Sequence, residues 1–138
     1  MKIAVSACLL GENCKYNGGN NYRRDIVDFL KGHDILPICP ELLAGAGVPR
    51  KCVELQNGRA IDSEGISVDK EYRRGAALAL KQVQIFGAEL VILKSRSPTC
   101  GVRRIYDGTF TGELIDGEGL FARQLLDCGI LVRDSDDF

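Results

Sequence analysis

Short apolar runs alternate along this chain with stretches in which apolar residues recur every three or four positions. Residues 2–7, KIAVSA, read as a strand. In RRDIVDFLKG (23–32), Ile26, Val27, Phe29 and Leu30 have helical spacing, and Gly32 stands where a C-cap glycine belongs. DILPI (34–38) predicts a second strand, in which Pro37 fits only away from a fully paired central position. In residues 51–72 the Asn57-Gly58 step lies between short alternating runs and predicts a hairpin. The spacing of Tyr72, Ala76, Ala79, Leu80, Val83 and Phe86 predicts a helix over 69–87, with Asp69 as N-cap and Gly87 as its stop. AELVILKS (88–95) reads as the most buried strand, and the tail adds a helix over 118–129 and a last strand over 130–133. This alternation predicts an α/β fold: a mostly parallel sheet with helices on both faces, Rossmann-like and three-layered, with one small hairpin excursion.

A chain of 138 residues has the size of one domain, so residues 1–138 are expected to share one core. Its 18 basic and 19 acidic residues leave a net charge of −1 without a basic tract, which argues against a stable nucleic-acid partner. No apolar run approaches the roughly 18 residues of a membrane span, and the N-terminal residues lack the pattern of a cleaved leader. A cytoplasmic protein with no membrane association is expected. In that setting the six cysteines read as reduced thiols rather than a disulfide framework.

Position separates those cysteines. In an open α/β sheet, ligands bind beyond the carboxyl ends of the strands. Cys8, Cys39 and Cys100 each follow a predicted strand, so the sheet would gather them at one rim, where thiolates suit zinc, copper(I) or an iron-sulfur cluster. Three protein thiolates would leave one metal position open for chemistry. Cys14, six residues after Cys8, could complete a four-thiolate site, line a pocket or cap its loop. Cys52 reads as peripheral, and Cys128 as an ordinary buried residue of the last helix. Glu41, two residues after Cys39, could handle a proton beside the metal or cap the following turn, and Ser97 has the same choice within SPTCG. Tyr106 and Phe110 in IYDGTFTGEL (105–114) read either as a turn over the core or as a pocket wall. His33, between a helix and a strand, reads as a capping or surface residue. No Walker A or dinucleotide fingerprint is present.

The segments SACLLGENCKYNGG (6–19), CPELLAGAGVPRKCVE (39–54), LKSRSPTCG (93–101) and IYDGTFTG (105–112) resemble those of the family called domain of unknown function 523, which includes the thiouracil desulfidases. The resemblance implies a desulfidase-like enzyme that carries a [4Fe-4S] cluster on Cys8, Cys39 and Cys100, with Glu41 and Ser97 as catalytic residues beside the open iron. Ser6, Asn17, Arg50 and Tyr106 are the expected substrate contacts. The implied reaction is non-redox removal of sulfur from a thiolated pyrimidine such as 2-thiouracil, giving uracil and hydrogen sulfide. The partner would then be a small thiolated nucleobase. Zinc remains an alternative occupant, and an open iron is exposed to oxidative loss. Two other functions fit the residues: a metal, cluster or sulfide carrier without turnover, and desulfuration of thiolated tRNA.

Overall fold

The computed structural model describes residues 1–138. Its centre is a four-stranded, all-parallel sheet in the order β2-β1-β5-β8, formed by β1 (Lys2–Ser6), β2 (Asp34–Ile38), β5 (Leu90–Leu93) and β8 (Val132–Asp134). Successive residues of β1 and β5 face opposite layers, as a two-residue period requires. Ile3, Val5, Leu90 and Ile92 pack with Ile26 and Leu30 of α1 (Arg24–Leu30) on one face. Ala4, Val91 and Leu93 pack on the other face against α3 (Asp69–Phe86) and α4 (Leu120–Asp127). The fold is therefore three-layered α/β, and β5 is buried along its whole length.

β2 is an edge strand, which is why Pro37 opposite Val5 is tolerated: its missing N–H faces away from any partner. Between β2 and α3 lie the short helix α2 (Pro40–Leu43) and the antiparallel hairpin of β3 (Val53–Gln56) and β4 (Arg59–Asp62). Asn57 (φ 49°) and Gly58 (φ 79°) form the two-residue turn expected of an Asn-Gly hairpin. A second hairpin, β6 (Arg104–Tyr106) with β7 (Leu114–Asp116), was not expected from the periodicity, because three-residue strands carry too little pattern.

Two terminal assignments change. Asp69 is the first helical residue of α3, not its N-cap. Its carboxylate accepts from the Ala60 N–H (3.0 Å) and from Arg73 Nε (2.7 Å), tying the helix to β4. Cys128 is the exposed C-cap of α4 rather than a buried residue, because the helix ends at Asp127, one residue before it. Gly87 does terminate α3, in the left-handed conformation. No helix is long and apolar enough to cross a membrane.

Candidate active site

The chain runs from β1 to one neighbour, β2, and later returns on the opposite side of β1 as β5. The loops leaving β1 and β5 therefore diverge at their carboxyl ends, where open α/β sheets form binding crevices. A cavity of about 520 Å³ lies there, and Cys8, Cys14, Cys39 and Cys100 all line it. Each thiol comes from a separate local device. Cys8 sits in a 3-10 turn (Ala7–Leu10) closed by left-handed Gly11; Cys39 directly precedes α2; Cys100 ends the Ser97-to-Cys100 turn. Cys14 is buried on the first loop, between Cys8 and Cys39 in hydrogen-bonding terms.

That arrangement divides the thiols by acidity. The hydrogen bond from Cys14, followed by one from Asn21, lowers Cys8 to about 7 against the opposing effect of burial. The same Cys14 partner lowers Cys39, and Cys14 itself is pushed far up by its contacts with Cys39 and Cys8. Burial pushes Cys100 up to about 12, with hydrogen bonds from Ser6 and Thr99 opposing it. No three His, Cys, Asp or Glu side chains converge in metal-ligating geometry. The donor set nevertheless fits a thiophilic centre in its chemistry: the wall carries five soft sulfurs, counting Cys52, and two of them, Cys8 and Cys39, are shifted toward thiolate.

Glu41 projects from the first turn of α2 onto the same wall. Its Oε1 accepts from Arg50 Nη2 (3.1 Å), Arg50 Nε (3.2 Å) and the Tyr72 hydroxyl (3.4 Å). Its Oε2 accepts from Thr99 Oγ1 (3.0 Å) and Ser97 Oγ (3.4 Å). Both members of the ion pair are nearly buried, with side chains 8% exposed for Arg50 and 15% for Glu41. Arg50 also donates to the Gly47 carbonyl (2.9 Å) and the Cys14 carbonyl (2.8 Å), so one guanidinium ties the carboxylate to the cysteine loop. Ser97 both caps its turn and touches Glu41. Its Oγ accepts from the backbone N–H of Thr99 (3.1 Å) and Cys100 (3.0 Å), which leaves its hydroxyl hydrogen to donate.

The remaining expected residues separate. Ser6 and Tyr106 line the cavity, and Ser6 Oγ accepts from the Lys94 N–H (2.9 Å), which joins the ends of β1 and β5. Asn17 is exposed and does not line the cavity: its Oδ1 accepts from the Gly19 N–H (2.9 Å) and closes a loop turn, while Asn21 reaches the cavity instead. Cys52, expected to be peripheral, lines the cavity. Thr99 and Lys94 were not singled out from the sequence, and Tyr72 was read only as part of the apolar stripe of its helix. Thr99 lies inside the SPTCG segment, and Lys94 at the end of β5 could have been found by the strand-end rule applied to Cys100. Burial pushes the Lys94 ammonium down, partly offset by Cys8.

A model of the 2-thiouracil desulfurase family matches residues 3–137. The chain belongs to the 2-thiouracil desulfurase family. One family relative, the uncharacterised protein YbbK of Bacillus subtilis (strain 168), is 36% identical over 140 residues, covering 94% of this chain and 93% of its own. A solved structure described as the [4Fe-4S]-dependent thiouracil desulfidase TudS, labelled DUF523, superposes with a TM-score of 0.92 at 38% identity. The match covers 99% of this chain and 92% of that one. The family resemblance and the α/β fold expected from the sequence both hold.

Proposed function

We propose that this protein hydrolyses the carbon-sulfur bond of a thiolated pyrimidine such as 2-thiouracil, releasing uracil and hydrogen sulfide. The observation that carries the reading is the carboxylate of Glu41, held by Arg50, Thr99 and Ser97 on the wall of a cavity that Cys8, Cys39 and Cys100 also line. Family membership and the likeness to a [4Fe-4S]-dependent desulfidase support it, and no relative supports zinc.

Cys8, Cys39 and Cys100 would hold a [4Fe-4S] cluster, which supplies a thiophilic Lewis acid at its uncoordinated iron. The chain's own groups handle the base and the protons. Ser97, with both lone pairs taken by backbone N–H groups, turns its one hydroxyl hydrogen from Glu41 Oε2 to the thiolated ring when the base binds, while Thr99 and Arg50 keep hold of the carboxylate. Glu41 takes a proton from the attacking water and delivers it to the departing sulfur. Ser6 and Tyr106 contact the base from the remaining wall. The reaction balances as thiouracil plus water giving uracil plus hydrogen sulfide, with no net electron transfer.

The test is anaerobic reconstitution with iron and sulfide, followed by incubation with 2-thiouracil. Uracil and sulfide should form in equal amounts. A fully loaded protein that forms neither would refute the substrate assignment, and tight loading without turnover would favour a carrier.

A further inference from the structure

The β6–β7 hairpin closes through residues 107–113, and Phe110 at the centre of that turn lines the cavity with a φ of 58°. Three non-glycine residues of the chain have positive φ: Asn57, Arg96 and Phe110. Asn57 belongs to a hairpin turn that requires it; Arg96 and Phe110 both line the cavity. A bulky aromatic residue keeps the left-handed conformation only where its surroundings over-determine it, and such residues collect at functional sites.

The surroundings here do over-determine it. Buried Glu54 accepts with one oxygen from the N–H of Gly108 (3.1 Å) and of Phe110 (3.0 Å). Gln56 Nε2 donates to the Gly108 carbonyl (2.8 Å). A Cβ at position 108 would stand 2.6 Å from Gln56 Cγ and 2.8 Å from the Leu55 carbonyl oxygen, so glycine lets the loop rest directly on β3. On the outer side, Asp107 Oδ1 accepts from the Thr109 N–H (2.9 Å) and hydroxyl (2.6 Å). Backbone and polar groups thus fix the loop, leaving the half-buried ring of Phe110 free to serve the cavity with an apolar face.

We propose that Phe110 is the specificity-determining face on which the flat ring of the base stacks, and that Glu54 is the positioning residue that holds it there. The assignment rests on the reading of the substrate as a thiolated pyrimidine. It adds a planar-ring requirement that the sulfur chemistry alone does not impose.

Uracil and 5,6-dihydrouracil, one flat and one puckered, probe the stack on metal-free reduced protein by calorimetric titration. Wild type should prefer uracil. F110A should bind uracil about ten-fold more weakly, the scale of one base-aromatic stack, and lose the preference. E54A should lose the preference too, an effect that general loosening of the fold would not produce selectively. F110W keeps an aromatic face and supplies the sole tryptophan of the chain, whose fluorescence uracil should quench even if E54A fails to fold. Binding of uracil to F110A within about two-fold of wild type, against the expected scale of a stack, overturns the proposal, as does a retained preference for the flat ring. Loss of desulfuration in loaded wild type with the F110A binding defect intact would overturn the reaction instead. Turnover by F110A at an unchanged KM would overturn the role of Phe110 and leave the reaction standing.

Discussion

Replacing Arg50 by Met keeps the length of the stem and removes the guanidinium, which isolates the contribution of the buried pair with Glu41. The structure sets the magnitude. R50M deletes four hydrogen bonds: two to Glu41 Oε1, one to the Gly47 carbonyl and one to the Cys14 carbonyl. Removing one partner of a buried ion pair costs about 3–5 kcal/mol, because the other charge is left stranded. Glu41 retains 15% exposure and its contacts with Tyr72 and Thr99, so the lower end applies. A loss of about 3 kcal/mol should lower Tm by about 12 °C at roughly 4 °C per kcal/mol for a chain of this length. The assay is thermal and urea unfolding of metal-free protein in reducing buffer, so that neither ligand binding nor disulfides contribute. The double variant R50M/E41Q removes the stranded charge and should recover about 2 kcal/mol of that loss. A loss below about 1 kcal/mol for R50M, or no recovery on adding E41Q, would refute the account of a buried pair that organises the site.

Three further outcomes follow from the same geometry. E41Q should keep its iron content while kcat for 2-thiouracil falls by about 10²–10⁴, the range for losing a general acid-base group; unchanged kcat would remove Glu41 from proton transfer. G75A should destabilise by about 1–3 kcal/mol, because the new Cβ meets the Pro40 carbonyl oxygen and Ala44, where α3 packs on the helix carrying Glu41; urea unfolding within about 0.5 kcal/mol of wild type would contradict that packing. D69N reports on pH. Burial alone would raise the Asp69 carboxyl, but the Ala60 N–H and Arg73 outweigh it and hold the group below its ordinary 3.8. The stabilisation is thus full above that value and is lost as pH falls below it. The D69N deficit should be about 1 kcal/mol at pH 7 and shrink in acid; a deficit that grows on acidification would reverse the sign.

Most of the fold was legible because its elements are long enough to show a period. The helix over 69–87 and the buried strand ending near Lys94 both stand where their spacing placed them, within a residue or two. What escaped was local. β6 and β7 span three residues each, and the left-handed Phe110 between them depends on a carboxylate 56 residues away in sequence. Asp69 and Cys128 were misplaced for the same reason: a helix end is decided by the partners its polar groups find, here Ala60 and Arg73 for Asp69. The strand-end rule brought Cys8, Cys39 and Cys100 to one cavity, yet spacing could not show that Cys14 lines it beside them. Nor could it show that Arg50 holds Glu41 through two hydrogen bonds and anchors itself through two more to the Gly47 and Cys14 carbonyls, since these groups meet only in the folded loop.

The central claim is that thiols from three separate strand ends act as one ligand set. The direct measurement is iron and acid-labile sulfide content after anaerobic reconstitution of wild type, C8A, C39A and C100A, with C128A at the exposed helix cap as control. The account predicts a full cluster in wild type and C128A and loss of it in each of the other three; normal content in all three would contradict it.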